Sequence, residues 1–382
     1  MKINVFKNSP NFDKIKHMNN QPKTNDRIKY LDIAKGIGII LVIMGHTGFL
    51  FDNLKTYFFS FHMPLFFVIS GMLMNIKHEE DADFKVLALK KIKALMIPYL
   101  SFSIIYIIVY IITYNMNLVT KEDFIQSVIY MFTLYGDSTL WFLPALLIGE
   151  LLFIYLVRKI EGVWSLALAL CLAGVAYLLQ LLITPFWAMH NNSLIIINIV
   201  DFIRVFLRGM ISSLFVGMGY WGYKYANDLE DKLKEKISKI NGLGQGIYIA
   251  IGVILMAAAY GFALINETVD YHRLVFGDVM YFMAAATLGS FGIIYISKGL
   301  NEVKLLEYFG KNSLIIMCTH LNCYVLFASI QIAWLVDTVI TRAKSYVFML
   351  VIVVSALLIE SLLITIINRF LPFMLGKTKG RK

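Results

Sequence analysis

The sequence predicts an all-α polytopic membrane bundle of about ten transmembrane helices with both termini cytoplasmic. Three observations carry that prediction. Hydrophobic residues make up 59% of the 382 residues and charged residues only 16%, where soluble domains carry roughly 25% charged. Apolar stretches of about 20 residues, enough to cross the hydrocarbon core, recur near 31–51, 57–75, 94–114, 139–157, 163–183, 202–223, 246–265, 275–296, 313–335 and 345–367. Finally, 27 of the 35 lysines and arginines fall in the N-terminal segment, in every second connection and at the C-terminal end. That alternation marks cytoplasmic segments. The net charge of +10 is therefore a topology signal, and no nucleic-acid partner is expected.

Residues 1–29 are polar and lack an apolar core, so they read as a flexible basic cytoplasmic tail and not as a cleavable signal peptide. The membrane domain is expected over 30–370, followed by a short basic tail at 371–382. The first span holds Asp32, Lys35 and His46. Lys35 and His46 are eleven residues apart, which returns a helix to within roughly 20° of its starting face over about 16 Å. Asp32 lies three residues before Lys35, close enough to pair with it. One polar stripe thus runs along an apolar helix, where ionisable groups are expensive and mark function by default.

The second span holds His62, Ser70 and Gly71. Pro64 is expected to bend or start this helix, and Gly71 to permit a close helix approach. Phe58 and Phe59 read as interface aromatics. With a cytoplasmic N-terminus, Asp32 and Lys35 sit near the inner end. His46 and His62 sit near the outer end, able to face each other. The third span has Pro98 near its start, after Lys90, Lys91 and Lys93. The fourth begins Trp141-Phe142-Leu143-Pro144 and holds Glu150.

The sixth span carries Arg204 and Arg208 one turn apart, with Asp201 as the acid near its outer end. Guanidinium groups in hydrocarbon need an anion, water or carbonyls. The ninth starts at Asn312 and Ser313, with His320 seven residues on and on the same face; Glu360 lies in the tenth. Taken singly, these polar groups read as glue between helices. Together they describe a polar interior reachable from both sides. Cys171, Cys318 and Cys323 all fall in spans and read as small core hydrophobes. No metal-type spacing occurs, so no metal is expected. No internal repeat of the transporter kind is visible.

A neutral histidine in a partly desolvated pocket is a suitable general base. A cation reached from the cytoplasm suits an anionic group such as a phosphate of coenzyme A. A proton-coupled transporter would use the same buried His, Asp and Lys. Spacing leaves both readings open.

Four blocks carry a family resemblance: LDIAKGIGIILVIMGH, SFHMPLFFVISGMLM, KKIKALMIPYL with the span after it, and DSTLWFLPALLIGE. They resemble the integral membrane acyltransferases of the acyltransferase 3 family, and most of all its fucose 4-O-acetylase-like branch. A later block, EYFGKNSLIIMCTHL, is similar to the family's C-terminal GxxSLxxxxxH element. The resemblance implies ten or so helices and transfer of an acyl group, usually acetyl, from cytoplasmic acyl-CoA to an envelope carbohydrate or similar acceptor. The family's arginine, ten residues, then histidine maps onto Lys35 and His46. Lysine keeps the charge and loses the bidentate fork. A basic cluster before a proline maps onto Lys90, Lys91 and Lys93 before Pro98. Some relatives carry an additional extracytoplasmic esterase-like domain; the sequence stops shortly after the tenth span.

The roles then expected are His46 as general base, His62 shaping or hydrogen-bonding the same site, and Asp32 orienting Lys35. Lys35 and Lys93 would engage the acyl-CoA co-substrate. Arg204 and Arg208 are candidates for its pyrophosphate or for the developing oxyanion, their outer depth favouring the latter. Ser70, Trp141, Glu150, Asn312, Ser313 and His320 are second-rank candidates. No serine or cysteine nucleophile with an adjacent base is evident, which favours direct transfer. Membrane lipid and a carbohydrate acceptor are the expected partners, a homodimer stays open, and a bacterial-type cytoplasmic (inner) membrane is the expected location. The rival reading is a transporter or flippase for a small or lipid-linked envelope intermediate. A membrane sensor or scaffold is a third, weakened by short loops.

Overall fold

The computed structural model describes residues 28–189, 193–237, 243–267, 269–340 and 345–377. Of the tail expected over 1–29, residues 1–27 lie outside them, as do the connection at 341–344 and the last five residues, and Lys29 already belongs to the first helix. The described residues form thirteen α-helices: α1 Lys29–His46, α2 Asp52–Ile76, α3 Phe84–Asn115, α4 Lys121–Phe132, α5 Phe142–Lys159, α6 Trp164–Met189, α7 Leu194–Ile237, α8 Leu243–Leu264, α9 Val279–Leu300, α10 Lys304–Lys311, α11 Ser313–Thr319, α12 Val325–Ile340 and α13 Ser345–Phe370. Among the described residues the β structure is a single antiparallel bridge, Asp270 with Val275.

Among the described residues seven helical segments are long and apolar enough to cross a membrane, and three expected spans depart from that description. The first is α1, which carries Asp32 and Lys35 and stops at His46, five residues short of the expected end. Thr47 then donates its hydroxyl to the Met44 carbonyl at 2.9 Å, and Gly48 turns the chain at φ +75°, a conformation glycine adopts freely. The sixth is α7, which carries Asp201, Arg204 and Arg208 and runs on past the expected end at 223. The ninth is broken: α11 ends at Thr319 and α12 begins at Val325. Side chains from elsewhere take up carbonyls near the break. Thr139 donates to the Met317 carbonyl at 2.6 Å and Tyr106 to that of Cys318. Buried non-helical backbone at membrane depth requires such partners.

Pro64, expected to bend or start its helix, lies inside α2, and Pro98, expected near a span start, lies well inside α3. The third connection, unassigned by the sequence reading, folds into α4. A capping box, Thr120 with Asp123, starts it. Packing also continues past the expected boundary at 370, where the short turn Pro372–Leu375 buries Pro372 and Met374.

Two crossings fix the centre. A Cβ on Gly71 would sit 1.8 Å from the Val216 carbonyl oxygen, and one on Gly219 1.9 Å from that of Val68. Backbone therefore meets backbone between α2 and α7, as expected at Gly71. Gly36 and Gly310 do the same for α1 and α10. Around this centre Phe61, Phe67, Phe102, Phe153, Phe215 and Phe282 are fully buried. Many large apolar side chains of α6, α8 and α13 are exposed, including Leu178, Leu182, Ile254, Leu358 and Leu362. Soluble monomers rarely expose so much contiguous apolar surface; hydrocarbon would cover it.

Candidate active site

Three histidines are held in the same way. Nδ1 of His46 lies 2.8 Å from the Val42 carbonyl, Nδ1 of His62 2.6 Å from that of Phe58, and Nδ1 of His320 2.8 Å from that of Ile316. A carbonyl only accepts, so each Nδ1 carries the hydrogen and each neutral ring keeps its lone pair on Nε2. Each imidazole is thus oriented by its own helix. His46 closes α1 and His320 follows the last residue of α11. Their ring centroids are 5.3 Å apart. Phe59 packs 5.6 Å from the ring of His46 and 4.9 Å from that of His62. It is therefore part of this cluster, beyond the interface role expected.

His46, His62, Phe59, Thr139, Trp141 and Met317 line a cavity of about 420 Å³. The first turn of α2 adds Lys55, and the connection after α8 adds Asp270, Tyr271 and His272. His46 is partly exposed, while His320 is fully buried. With Nδ1 engaged, Nε2 is the nitrogen His46 offers to this space.

A second cavity, of about 220 Å³, lies towards the opposite end of α1. Lys35, Ser70, Glu150 and Ser313 line it with Phe142 and Met317. Lys35 Nζ is 2.7 Å from Asp32 Oδ1, which is buried. Glu150 accepts from Ser70 and lies 3.1 Å from Lys91 Nζ, which also reaches Glu79 at 2.7 Å. Asn312 is engaged elsewhere: it donates to the Tyr308 carbonyl and accepts from Asn368. Lys93 is exposed on α3 and lines neither cavity. Thr319 donates to buried Glu360 at 2.7 Å.

Arg204 and Arg208 find protein partners instead of the cavities. Arg204 pairs with Asp201 at 3.0 Å and lies over Trp187. Arg208 is 1% exposed. Its Nε donates to the His272 carbonyl at 2.7 Å and its Nη1 to that of Tyr135 at 3.0 Å, with the guanidinium 4.2 Å from the Tyr135 ring. It ties together two connections far apart in sequence, 133–137 and 265–278. His272 and Trp141 stack at 5.7 Å beside this junction.

Burial and the nearby Arg208 charge hold the His272 imidazole well below its ordinary pKa. Its Nε2 is shut from solvent without a partner among the described residues. Burial also pushes Asp137 up, against a hydrogen bond from Ser127.

The sequence reading missed Thr139, Asp270, His272 and Met317. Asp270-Tyr271-His272-Arg273 offered a signal, a polar and aromatic run in a short connection at the His46 end. Met317 offered none.

Lys35 and His46, on one face of α1, each line one of the two cavities. A family model described as an acyltransferase domain matches residues 28–366, which include every candidate residue above. No curated protein and no solved structure matches the chain. On that match this integral membrane protein belongs to the acyltransferase 3 family.

Proposed function

We propose that the protein is an O-acyltransferase that moves an acyl group, most simply acetyl, from an acyl-CoA to a hydroxyl of a cell-envelope carbohydrate or its lipid-linked precursor. The observation carrying this reading is the division of labour along α1. An imidazole with a free Nε2 faces the wider cavity, and a lysine with a fixed partner faces the narrower one. The lysine pattern supports a cytoplasmic side for the narrower cavity, where acyl-CoA is found. Sites for whole drug-sized ligands run to roughly 300–1,000 Å³. At about 220 Å³ the narrower cavity suits the thin pantetheine arm, with the nucleotide outside it near exposed Lys90 and Lys93. The reading takes a bacterial-type inner membrane as the location, where an envelope acceptor and cytoplasmic acyl-CoA lie on opposite sides.

In this reading His46 Nε2 takes the acceptor hydroxyl proton as that oxygen bonds to the thioester carbonyl carbon. The C–S bond breaks, and the departing sulfur receives the proton, giving an ester and free thiol. Asp32 fixes Lys35, and Lys35 orients the donor. The test supplies labelled acetyl-CoA to membranes with a crude envelope acceptor. Ester-borne label that disappears in His46→Ala is the expected result. Equal label from His46→Ala removes the base assignment. Movement of an unmodified substrate, with no dependence on acyl-CoA, would support the transporter instead.

A further inference from the structure

Met317 is, among the described residues, the side chain that lines both cavities. It is 3% exposed, so it fills the partition between them. Its backbone is held: Thr139 donates to its own carbonyl and Tyr106 to the next. The helix carrying it ends two residues later, at Thr319. Its side chain is unbranched, with three rotatable bonds, the most adaptable apolar group available. A fixed backbone under a yielding side chain is a suitable construction for a passage that opens only around what passes through it.

Lys35 and His46 are about 16 Å apart along one helix face. A donor held at Lys35 that presents its acyl carbon to His46 passes from one cavity to the other, and Met317 is the residue that both share. We infer that Met317 is the specificity-determining residue for acyl length. The thioester end displaces this side chain, and the space left beyond it, shared with the acceptor, admits short acyl groups. This inference rests on the acyl-transfer reading. The bonds made and broken are those given above, the ester C–O formed and the thioester C–S lost, with the hydroxyl proton passing through His46 to the sulfur.

The test compares acetyl-, propionyl-, butyryl- and hexanoyl-CoA in the same membrane assay. One or two methylenes in a fitted apolar pocket change rates by roughly tenfold or more. Met317→Ala should therefore raise the butyryl-to-acetyl transfer ratio by about that factor. Met317→Val, which removes less volume, should raise it less. Met317→Leu should keep the parent ratio, and Met317→Phe should slow every donor. A general loss of packing would lower all rates together and leave the ratio in place. An unchanged ratio in both Met317→Ala and Met317→Val overturns the inference. Should Met317→Ala not accumulate in the membrane, Met317→Val decides. If the parent itself transfers no acyl group, the acyl-transfer reading falls and this inference with it. If the parent transfers acetyl and the ratio does not move, only the role of Met317 falls.

Discussion

The two ends of α1 solve the problem of placing ionisable groups in hydrocarbon in opposite ways. At the Lys35 end the charges are matched locally, Lys35 with Asp32, Lys91 with Glu79 and Glu150, and Lys311 with Glu307, at 2.7 to 3.1 Å. At the His46 end the buried groups around the cavity are imidazoles, neutral when deprotonated and each tied by Nδ1 to its own helix, while Lys55 and Asp270 line it from more exposed positions. A buried charge without a partner is destabilising. A neutral ring can keep an unshared lone pair at much smaller cost. The membrane thus permits a free base where it does not permit a free ion. The difference is why the proposed function assigns chemistry to one end and anchoring of a charged substrate to the other.

The largest effect that would sharpen this contrast is at His46. Removing a general base costs about 10²–10⁴-fold, so His46→Ala should lower acyl transfer by that range while the protein still inserts. A loss as deep in Asp32→Asn would break the division. Next comes Arg208→Ala. It leaves the His272 and Tyr135 carbonyls without their donor, at about 1–3 kcal/mol each. Detergent-solubilised protein should melt at a lower temperature, and by more than Arg204→Ala. Equal shifts would mean that the tie between the two connections carries no special weight.

Smaller still is Lys35→Gln, which should raise KM for acyl-CoA by about tenfold, or about 1.4 kcal/mol, with kcat little changed. A matching fall in kcat would move Lys35 into the chemical step. The smallest effect concerns pH. The folded pKa of His272 lies below the unfolded value of roughly 6.5. Between the two, the unfolded chain binds more protons. Stability from this group is therefore complete above about pH 6.5 and is lost as pH falls through that window. Melting temperature should drop from pH 7.5 to pH 5, and His272→Asn should drop less. Identical slopes would remove His272 from the acid response.

The bundle was legible because hydropathy and lysine placement are averages over many residues. The Lys35 to His46 stripe was legible because eleven residues return a helix to one face. The break after Thr319 was not, since Tyr106 and Thr139 supply its hydrogen bonds from far along the chain. The stop at His46 was masked by apolar residues beyond it, where Gly48 makes the turn. Arg204 and Arg208 read as facing a substrate because the groups that satisfy them are chiefly a carboxylate three residues back and carbonyls in distant connections. Met317 looked like any methionine in a span; its meaning depends wholly on two neighbouring voids.

The anchoring of Nδ1 on the Val42 carbonyl has a kinetic consequence. A ring pinned by one nitrogen has a single doorway for hydrogen, so what enters by that atom must leave by it, on the same side. With His46 as the proposed base, solvent isotope substitution should slow both the uptake of that proton and its discharge, since the Val42 carbonyl behind the ring offers no second route.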